Sequence, residues 1–257
     1  MPQVLTKTTG RTGVITFNNP EKRNALSSQL LEEFSAAMAH MAAENIFAVI
    51  IRAQKDSPVW SAGFDIGELA NKDPLAENSP LEKALLSVEN YPGAVIAMLH
   101  GGAWGGACEL ALACDLAIGD ETAAFAITPA KIGLPYNAAG IKRFIDRAGL
   151  ALSKEMFFTA KPIAAERALA CGLLNRLVKA AELESFTLSL AGDISSLAPL
   201  AVTAAKKYFR ALSRAVPPTP AELAEMEAFR KEVLQSVDFK NGVSSFLLKK
   251  QPVFIGR

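Results

Sequence analysis

The groups in this chain best placed to do chemistry are backbone donors rather than side chains. Gly105 and Gly106 open an apolar segment, Ala103-Trp104-Gly105-Gly106-Ala107-Cys108-Glu109-Leu110, and well upstream lies Ser61-Ala62-Gly63-Phe64-Asp65-Ile66. Each stretch can present a bare N–H, and a pair of converging N–H groups stabilises an enolate or a tetrahedral oxyanion. A helix starting near Gly106 adds unpaired donors and the positive end of a dipole. Taken singly, a Gly-Gly pair before a helix is also what close backbone packing or a tight turn requires.

Other chemistries lack their parts. The chain has 2 histidines, His40 on an expected helix and His100 at an expected strand end, and no Gly-x-Ser-x-Gly elbow for a nucleophilic serine. Cys108, Cys114 and Cys171 show neither metal-ligand spacing nor a paired disulfide framework, and the first two read as small core residues. No metal site is expected. No Gly-x-Gly-x-x-Gly follows a strand and there is no Walker loop, which weakens nucleotide readings. Backbone electrostatics remain, with a few carboxylates, hydroxyls and a tyrosine.

The 257 residues suffice for one large domain or a domain with an appendage, and a 50% apolar composition supports a sizeable core. The net charge of +1 gives no global field toward nucleic acid or an anionic membrane, so neither is an expected partner. The N-terminus has no signal-peptide pattern and no apolar run reaches membrane-spanning length, so the expectation is a cytoplasmic protein.

Strands and helices must hold the donors in place. Val14–Phe17 reads as a strand ended by Asn18-Asn19-Pro20. A helix follows from about Ser28, with Leu30, Phe34, Met38 and Met41 on one face. Phe47–Ile51 and Ala94–Leu99 are near-continuous apolar runs, as in a sheet covered on both faces. Leu116–Ile118 and Ala124–Ile127 are shorter strands. Gly67 to Pro80 reads as a loop, either a lid over a site or an ordinary surface excursion. From Ala198 onward the pattern is helical. It includes the capping box Thr219-Pro220-Ala221-Glu222 and a last helix from about Asn241 to Lys250.

Ordered motifs along nearly the whole chain resemble the crotonase (enoyl-CoA hydratase/isomerase) superfamily. They are Asn24-Ala25-Leu26-Ser27, Phe64-Asp65-Ile66 after Ser61-Ala62-Gly63, and the segment from Gly101 to Ala111. Gly172-Leu173-Leu174-Asn175-Arg176-Leu177-Val178 and the closing stretch from Asp238 to Pro252 complete the set. The resemblance implies an α/β fold, a spiral of ββα units over residues 1–196, with a helical region over 197–257 that assembles trimers or dimers of trimers. It also implies an acyl-CoA thioester substrate and no separate cofactor, coenzyme A entering as part of the thioester. By carry-over, the N–H groups of Phe64 and Gly106 hold the thioester oxygen. Arg23, Ala25 and Leu26 line the CoA channel, and Ser61, Ala62, Gly63, Asp65 and Ile66 belong to the substrate-binding stretch. Lys249 is a CoA phosphate contact, unless it is simply a solvated helix end.

Hydratases of the superfamily use two glutamates. The first falls on Glu109, but the second falls on Pro129, which has no acid–base chemistry. A single carboxylate does not readily serve both proton roles. Thr128-Pro129-Ala130-Lys131-Ile132-Gly133-Leu134-Pro135-Tyr136-Asn137-Ala138-Ala139-Gly140-Ile141 is similar to the methylmalonyl-CoA decarboxylase branch. That branch implies a Tyr136 hydroxyl on the substrate carboxylate, with Thr128 nearby. It carries a histidine where this chain has Phe64, which leaves Tyr136 as the main polar anchor. Plainer readings stay open, with Tyr136 as a core tyrosine and Glu109 as a helix residue or proton relay. The expected activity is decarboxylation of a methylmalonyl-type thioester through an enolate. The alternatives are an enoyl-CoA hydratase or isomerase using Glu109 alone, and a thioester-binding scaffold without turnover.

Overall fold

The computed structural model describes residues 1–212, 220–250 and 252. The chain opens with β1 (Val4–Thr9) and β2 (Thr12–Phe17), an antiparallel pair turning at Gly10, whose φ of 59° suits glycine. Then come α1 (Ser28–Ala43), β3 (Ala48–Ala53), α2 (Pro80–Glu89), β4 (Ala94–Leu99) and β5 (Gly102–Trp104). They are followed by α3 (Gly106–Ala113), β6 (Leu116–Gly119), β7 (Ala124–Ala126), α4 (Ala138–Thr159) and β8 (Ile163–Ala164). The described chain continues with α5 (Ala165–Ala170), β9 (Arg176–Leu177) and α6 (Leu183–Ser196). It ends with α7 (Pro199–Leu212), α8 (Pro220–Gln235) and α9 (Val237–Leu247).

The main sheet runs β1-β2-β3-β4-β6-β9 and is parallel from β2 onward, while β5, β7 and β8 form a smaller sheet. The apolar runs of β3 and β4 divide by the two-residue period of a strand. Val49, Ile51, Val95 and Ala97 face the large core shared with α1, α2 and α3. Ala48, Ile50, Ile96 and Met98 face a second core closed by Leu183 and Ala191 of α6. The expected two-sided burial of the sheet is therefore present. On α1, Ser27 caps the N-terminus by accepting from the Leu30 amide, and Leu30, Phe34, Met38 and Met41 are all buried.

The elements that differ from expectation are short or polar. Strand β1 buries only Val4, because it is an edge strand, so its residues give no apolar signal. Helix α9 starts at Val237 rather than Asn241, because the Ser236 side chain caps it by accepting from the Phe239 amide. It ends at Leu247, which leaves Lys249 beyond the helix in a left-handed conformation, φ 53°. Helix α8 begins at Pro220 as expected; Thr219, the cap of that box, lies outside the described residues. Among the described residues, no single helix is long and apolar enough to cross a membrane.

Helix α9 does not stand apart from the core. It packs on the 3-10 turn Pro129–Ile132 so closely that a Cβ on Gly242 would lie 2.0 Å from the Ile132 carbonyl oxygen. Val243 joins Leu69, Ile132 and Leu134 in a third apolar cluster, with Phe64, Ile66 and Phe239 against it.

Candidate active site

The two glycine-bearing stretches meet. Ser61 pairs with Ala103 through Ser61 N to Gly102 O, 3.2 Å, and Trp104 N to Ser61 O, 3.1 Å. On its other side the stretch pairs with Leu26, whose N–H reaches Gly63 O at 2.7 Å. Gly63 has φ 87°, and a Cβ there would stand 2.4 Å from the Trp104 carbonyl oxygen and 3.5 Å from the Gly106 nitrogen. Only a glycine permits this approach. A Cβ on Gly106 would in turn lie 3.9 Å from the Phe64 nitrogen. The Phe64 and Gly106 amides are thus neighbours, and neither has an acceptor among the described residues. Gly106 is the first residue of α3, where an amide has no intrahelical partner.

Phe64 and Gly106 both line a partly open cavity of about 60 Å³. Its walls are apolar: Leu69, Leu75, Leu81, Ile132 and Leu134, with the ring of Phe64. Ala62, Gly63 and Ile66 also line it, as do the hydroxyl-bearing residues Thr128 and Tyr136. Leu69, Pro74 and Leu75 come from the Gly67–Pro80 loop, so that segment forms a wall of the cavity. Pro129, which the resemblance sets in place of the second hydratase glutamate, lines it as well.

Of the remaining residues singled out in the sequence, Arg23, Ala25, Leu26, Ser61 and Asp65 adjoin the stretch that lines the cavity, and Lys249 does not. The buried Ser61 hydroxyl donates to Asn24 O at 2.6 Å and accepts from the Gly63 amide at 3.2 Å. Arg23 and Asn24 adopt left-handed φ of 53° and 51°, and the Arg23 carbonyl accepts from Ala62 N at 2.9 Å. Asp65 caps the turn Ile66–Glu68 by accepting from Gly67 N at 2.9 Å. Leu26 is fully buried and Ala25 half-buried beside it. Lys249 is exposed.

Tyr136 is placed by its neighbours in sequence. Asn137 caps α4 by accepting from Gly140 N at 2.8 Å, and its amide donates to Leu75 O at 2.6 Å. A Cβ on Gly140 would stand 2.4 Å from Tyr136 Cε1, so glycine one turn into the helix makes room for the ring. Phe144 and Phe157 hold the ring edge-on, with centroids 6.1 and 5.2 Å away.

The Tyr136 hydroxyl donates to Glu109 Oε2 at 2.6 Å, and Arg143 Nη1 donates to Glu109 Oε1 at 2.9 Å. Glu109 is 1% exposed and stands behind Tyr136, outside the cavity lining. Burial raises the Glu109 carboxyl above its ordinary value, against the opposing pull of Arg143 and the Tyr136 hydrogen bond. Burial, with Glu109 beside it, pushes the Tyr136 hydroxyl well above 10. Cys108 and Cys114 are buried thiols pushed upward by desolvation, as suits core residues. His100 is tied to Ser57 O at 3.1 Å.

Arg143, with Glu82 and Glu89 on it, was not among the residues the sequence singled out. The available signal was its place on α4, one turn after Gly140.

A small apolar cavity with paired free amides and hydroxyls, set on a spiral of parallel strands, defines a class. Residues 8–257 match the Enoyl-CoA hydratase/isomerase family, and the chain belongs to it as an enzyme of the crotonase superfamily. It is 39% identical to methylmalonyl-CoA decarboxylase of Escherichia coli K12 over 251 residues, 97% of this chain and 96% of that one. A solved methylmalonyl-CoA decarboxylase in complex with 2-nitronate-propionyl-CoA superposes with a TM-score of 0.95 at 38% identity, covering 99% of each chain. A hydratase is also similar: 2,3-dehydroadipyl-CoA hydratase of E. coli K12 is 30% identical over 260 residues, covering 100% of both.

Proposed function

We propose that this enzyme decarboxylates methylmalonyl-CoA, or a similar malonyl-type thioester, to propionyl-CoA. The observation that carries the reading is the pairing of the free Phe64 and Gly106 amides at a cavity with no carboxylate in its lining. Loss of CO2 breaks the bond from Cα to the carboxylate and leaves its electron pair as an enolate. The negative charge moves onto the thioester oxygen, where two preorganised N–H groups form the oxyanion hole. Tyr136 and Thr128 supply hydroxyls that orient the departing carboxylate out of the thioester plane, aligning the breaking bond with the carbonyl π system. The apolar ring of Phe64 favours the dispersed charge of the transition state over the localised carboxylate. Cα then takes a proton, giving propionyl-CoA. The sequence needs no metal or redox partner, and coenzyme A enters with the substrate.

The same reading has Arg23, Ala25 and Leu26 beside the CoA channel and Lys249 available to a CoA phosphate. It takes the enzyme as a cytoplasmic trimer or dimer of trimers built through residues 197–257. Large apolar side chains left exposed on α7, Leu200, Tyr208 and Phe209, support such an assembly.

The similar hydratase favours a second reading, water addition or isomerisation by Glu109 alone. Against it stand Pro129 in the lining and Glu109 outside it, bonded to Tyr136. A thioester-binding scaffold without turnover would bind thioesters and release nothing. The deciding experiment is CO2 release from methylmalonyl-CoA by wild type and Tyr136→Phe. The proposal requires release by the first and a drop of about 100-fold or more in the second; no release by wild type overturns it.

A further inference from the structure

Through Glu109, the Tyr136 hydroxyl rests on a side chain outside the cavity lining. Arg143, on α4, is 13% exposed and lies outside the cavity lining. Its Nη1 reaches Glu109 Oε1 at 2.9 Å and Glu82 Oε2 at 3.1 Å. Its Nη2 reaches Glu82 Oε1 at 2.8 Å, and its Nε reaches Glu89 Oε1 at 2.7 Å. A planar guanidinium offers donors in a fixed fork, so these contacts set the relative positions of their acceptors.

Each acceptor belongs to an element that also builds the cavity. Glu82 follows Leu81, a cavity wall whose Cδ2 would lie 3.1 Å from a Cβ on Gly106. Glu109 lies one turn after Gly106 on α3. Tyr136, bonded to Glu109, precedes the cap of α4 itself. One guanidinium therefore clamps the α2 wall, the helix of the Gly106 donor and the tyrosine.

We propose that Arg143 is a positioning residue of this site, fixing the Tyr136 hydroxyl through Glu109. Its effect on the reaction rests on the decarboxylase reading; its hold on Tyr136 does not. The groups facing Glu109 are Arg143 of α4, Tyr136, Glu82 of α2 and Cys108 on α3; Glu89 of α2 bears on it through Arg143, with Arg210 of α7 reaching Glu89 at 3.4 Å. When Glu109 is ionised it accepts the Tyr136 proton. When it is protonated it can donate to Tyr136 and turn that proton toward the cavity. Arg143 stabilises the ionised form, so it sets the pH at which the hydroxyl changes direction.

The test uses full-length protein carrying tyrosine labelled with 13C at Cζ. The 3 tyrosines, Tyr91, Tyr136 and Tyr208, give at most three labelled signals, and Tyr136→Phe assigns the one of interest. The Tyr136 signal should titrate with Glu109 and stop titrating in Glu109→Gln. In Arg143→Met its midpoint should rise by about one to three units, the effect of removing an adjacent opposite charge. For methylmalonyl-CoA, the pH dependence of kcat should move upward with the Tyr136 midpoint, with KM changing less than about threefold, because the direction of the hydroxyl rather than binding is altered. Arg143→Lys keeps the charge without the fork, so its midpoint and its kcat–pH profile should move less; it carries the test if Arg143→Met does not fold. An unmoved Tyr136 midpoint, or loss of thermal stability with the kcat–pH profile unmoved, overturns the proposal. A wild-type enzyme inert toward methylmalonyl-CoA overturns the decarboxylase reading instead, and the titration still judges Arg143.

Discussion

Gly63 and Trp104 approach so closely that a Cβ on the glycine would lie 2.4 Å from the tryptophan carbonyl oxygen. This contact joins segments far apart in sequence and leaves the Phe64 and Gly106 amides side by side. Gly63→Ala should therefore damage both fold and turnover. The substitution meets backbone rather than a flexible side chain and sits at φ 87°. A stability loss of about 1–3 kcal/mol from the strained conformation is expected. Thermal unfolding and CO2 release, measured on the same preparation, check it.

Gly106→Pro isolates the second donor. Proline is tolerated at the first position of a helix, where its missing N–H has no intrahelical partner. The atom nearest an added Cβ is the flexible end of Leu81, at 3.1 Å. The variant should fold with α3 intact and lose about 100- to 1000-fold in kcat, the effect of deleting one oxyanion donor. A folded Gly106→Pro enzyme with undiminished turnover would remove this amide from the mechanism.

Tyr136→Phe should spare the binding of propionyl-CoA, which has no carboxylate to orient, while slowing decarboxylation. It also leaves the buried Glu109 Oε2 without its donor, which should cost about 1–3 kcal/mol of stability. Calorimetric binding beside kinetics separates these effects. Equal losses in both assays would reduce Tyr136 to packing.

Glu109 carries a pH signature. Its carboxyl is raised by burial above 4.5, so the folded state holds the proton more tightly than the unfolded chain. Stability contributed by this group is complete below the unfolded value and declines as pH rises toward the folded one. Glu109→Gln removes that decline. The stability of the variant relative to wild type should therefore climb as pH rises above about 4.5, then level off. Denaturant melts across pH give the slope; a flat difference would mean the carboxyl is not raised.

Gly242→Ala tests the cover over the site. With the new Cβ 2.0 Å from the Ile132 carbonyl oxygen, α9 must lift off the turn that carries Pro129. Thioester affinity should weaken by about 10-fold or more as the apolar cluster around Val243 and Ile132 opens. Unchanged affinity would mean that α9 contributes nothing to the bound state.

The fold was legible wherever burial imposed a period. Strands β3 and β4 announced a sheet covered on both faces because their alternate residues enter different cores. Strand β1 was silent because an edge strand exposes polar residues, and β5 was hidden inside a glycine-rich motif. At the site, the stretches holding Gly63, Phe64 and Gly106 stood out in the sequence as possible backbone donors, and Tyr136 came only through the family resemblance. Arg143 could not, because its partners Glu82, Glu89 and Glu109 come from elements that only the tertiary fold brings together. The cavity walls Leu69, Leu75 and Leu134 were equally hidden, since an apolar residue in a loop or turn looks the same in sequence whatever it faces.

The central claim is best tested by mass-spectrometric product analysis in D2O buffer, with methylmalonyl-CoA and crotonyl-CoA offered separately to the purified enzyme. The account predicts propionyl-CoA carrying one α-deuterium from the first and no product from the second. Formation of 3-hydroxybutyryl-CoA from crotonyl-CoA, with methylmalonyl-CoA untouched, would contradict it and mark a hydratase that works without the usual pair of glutamates.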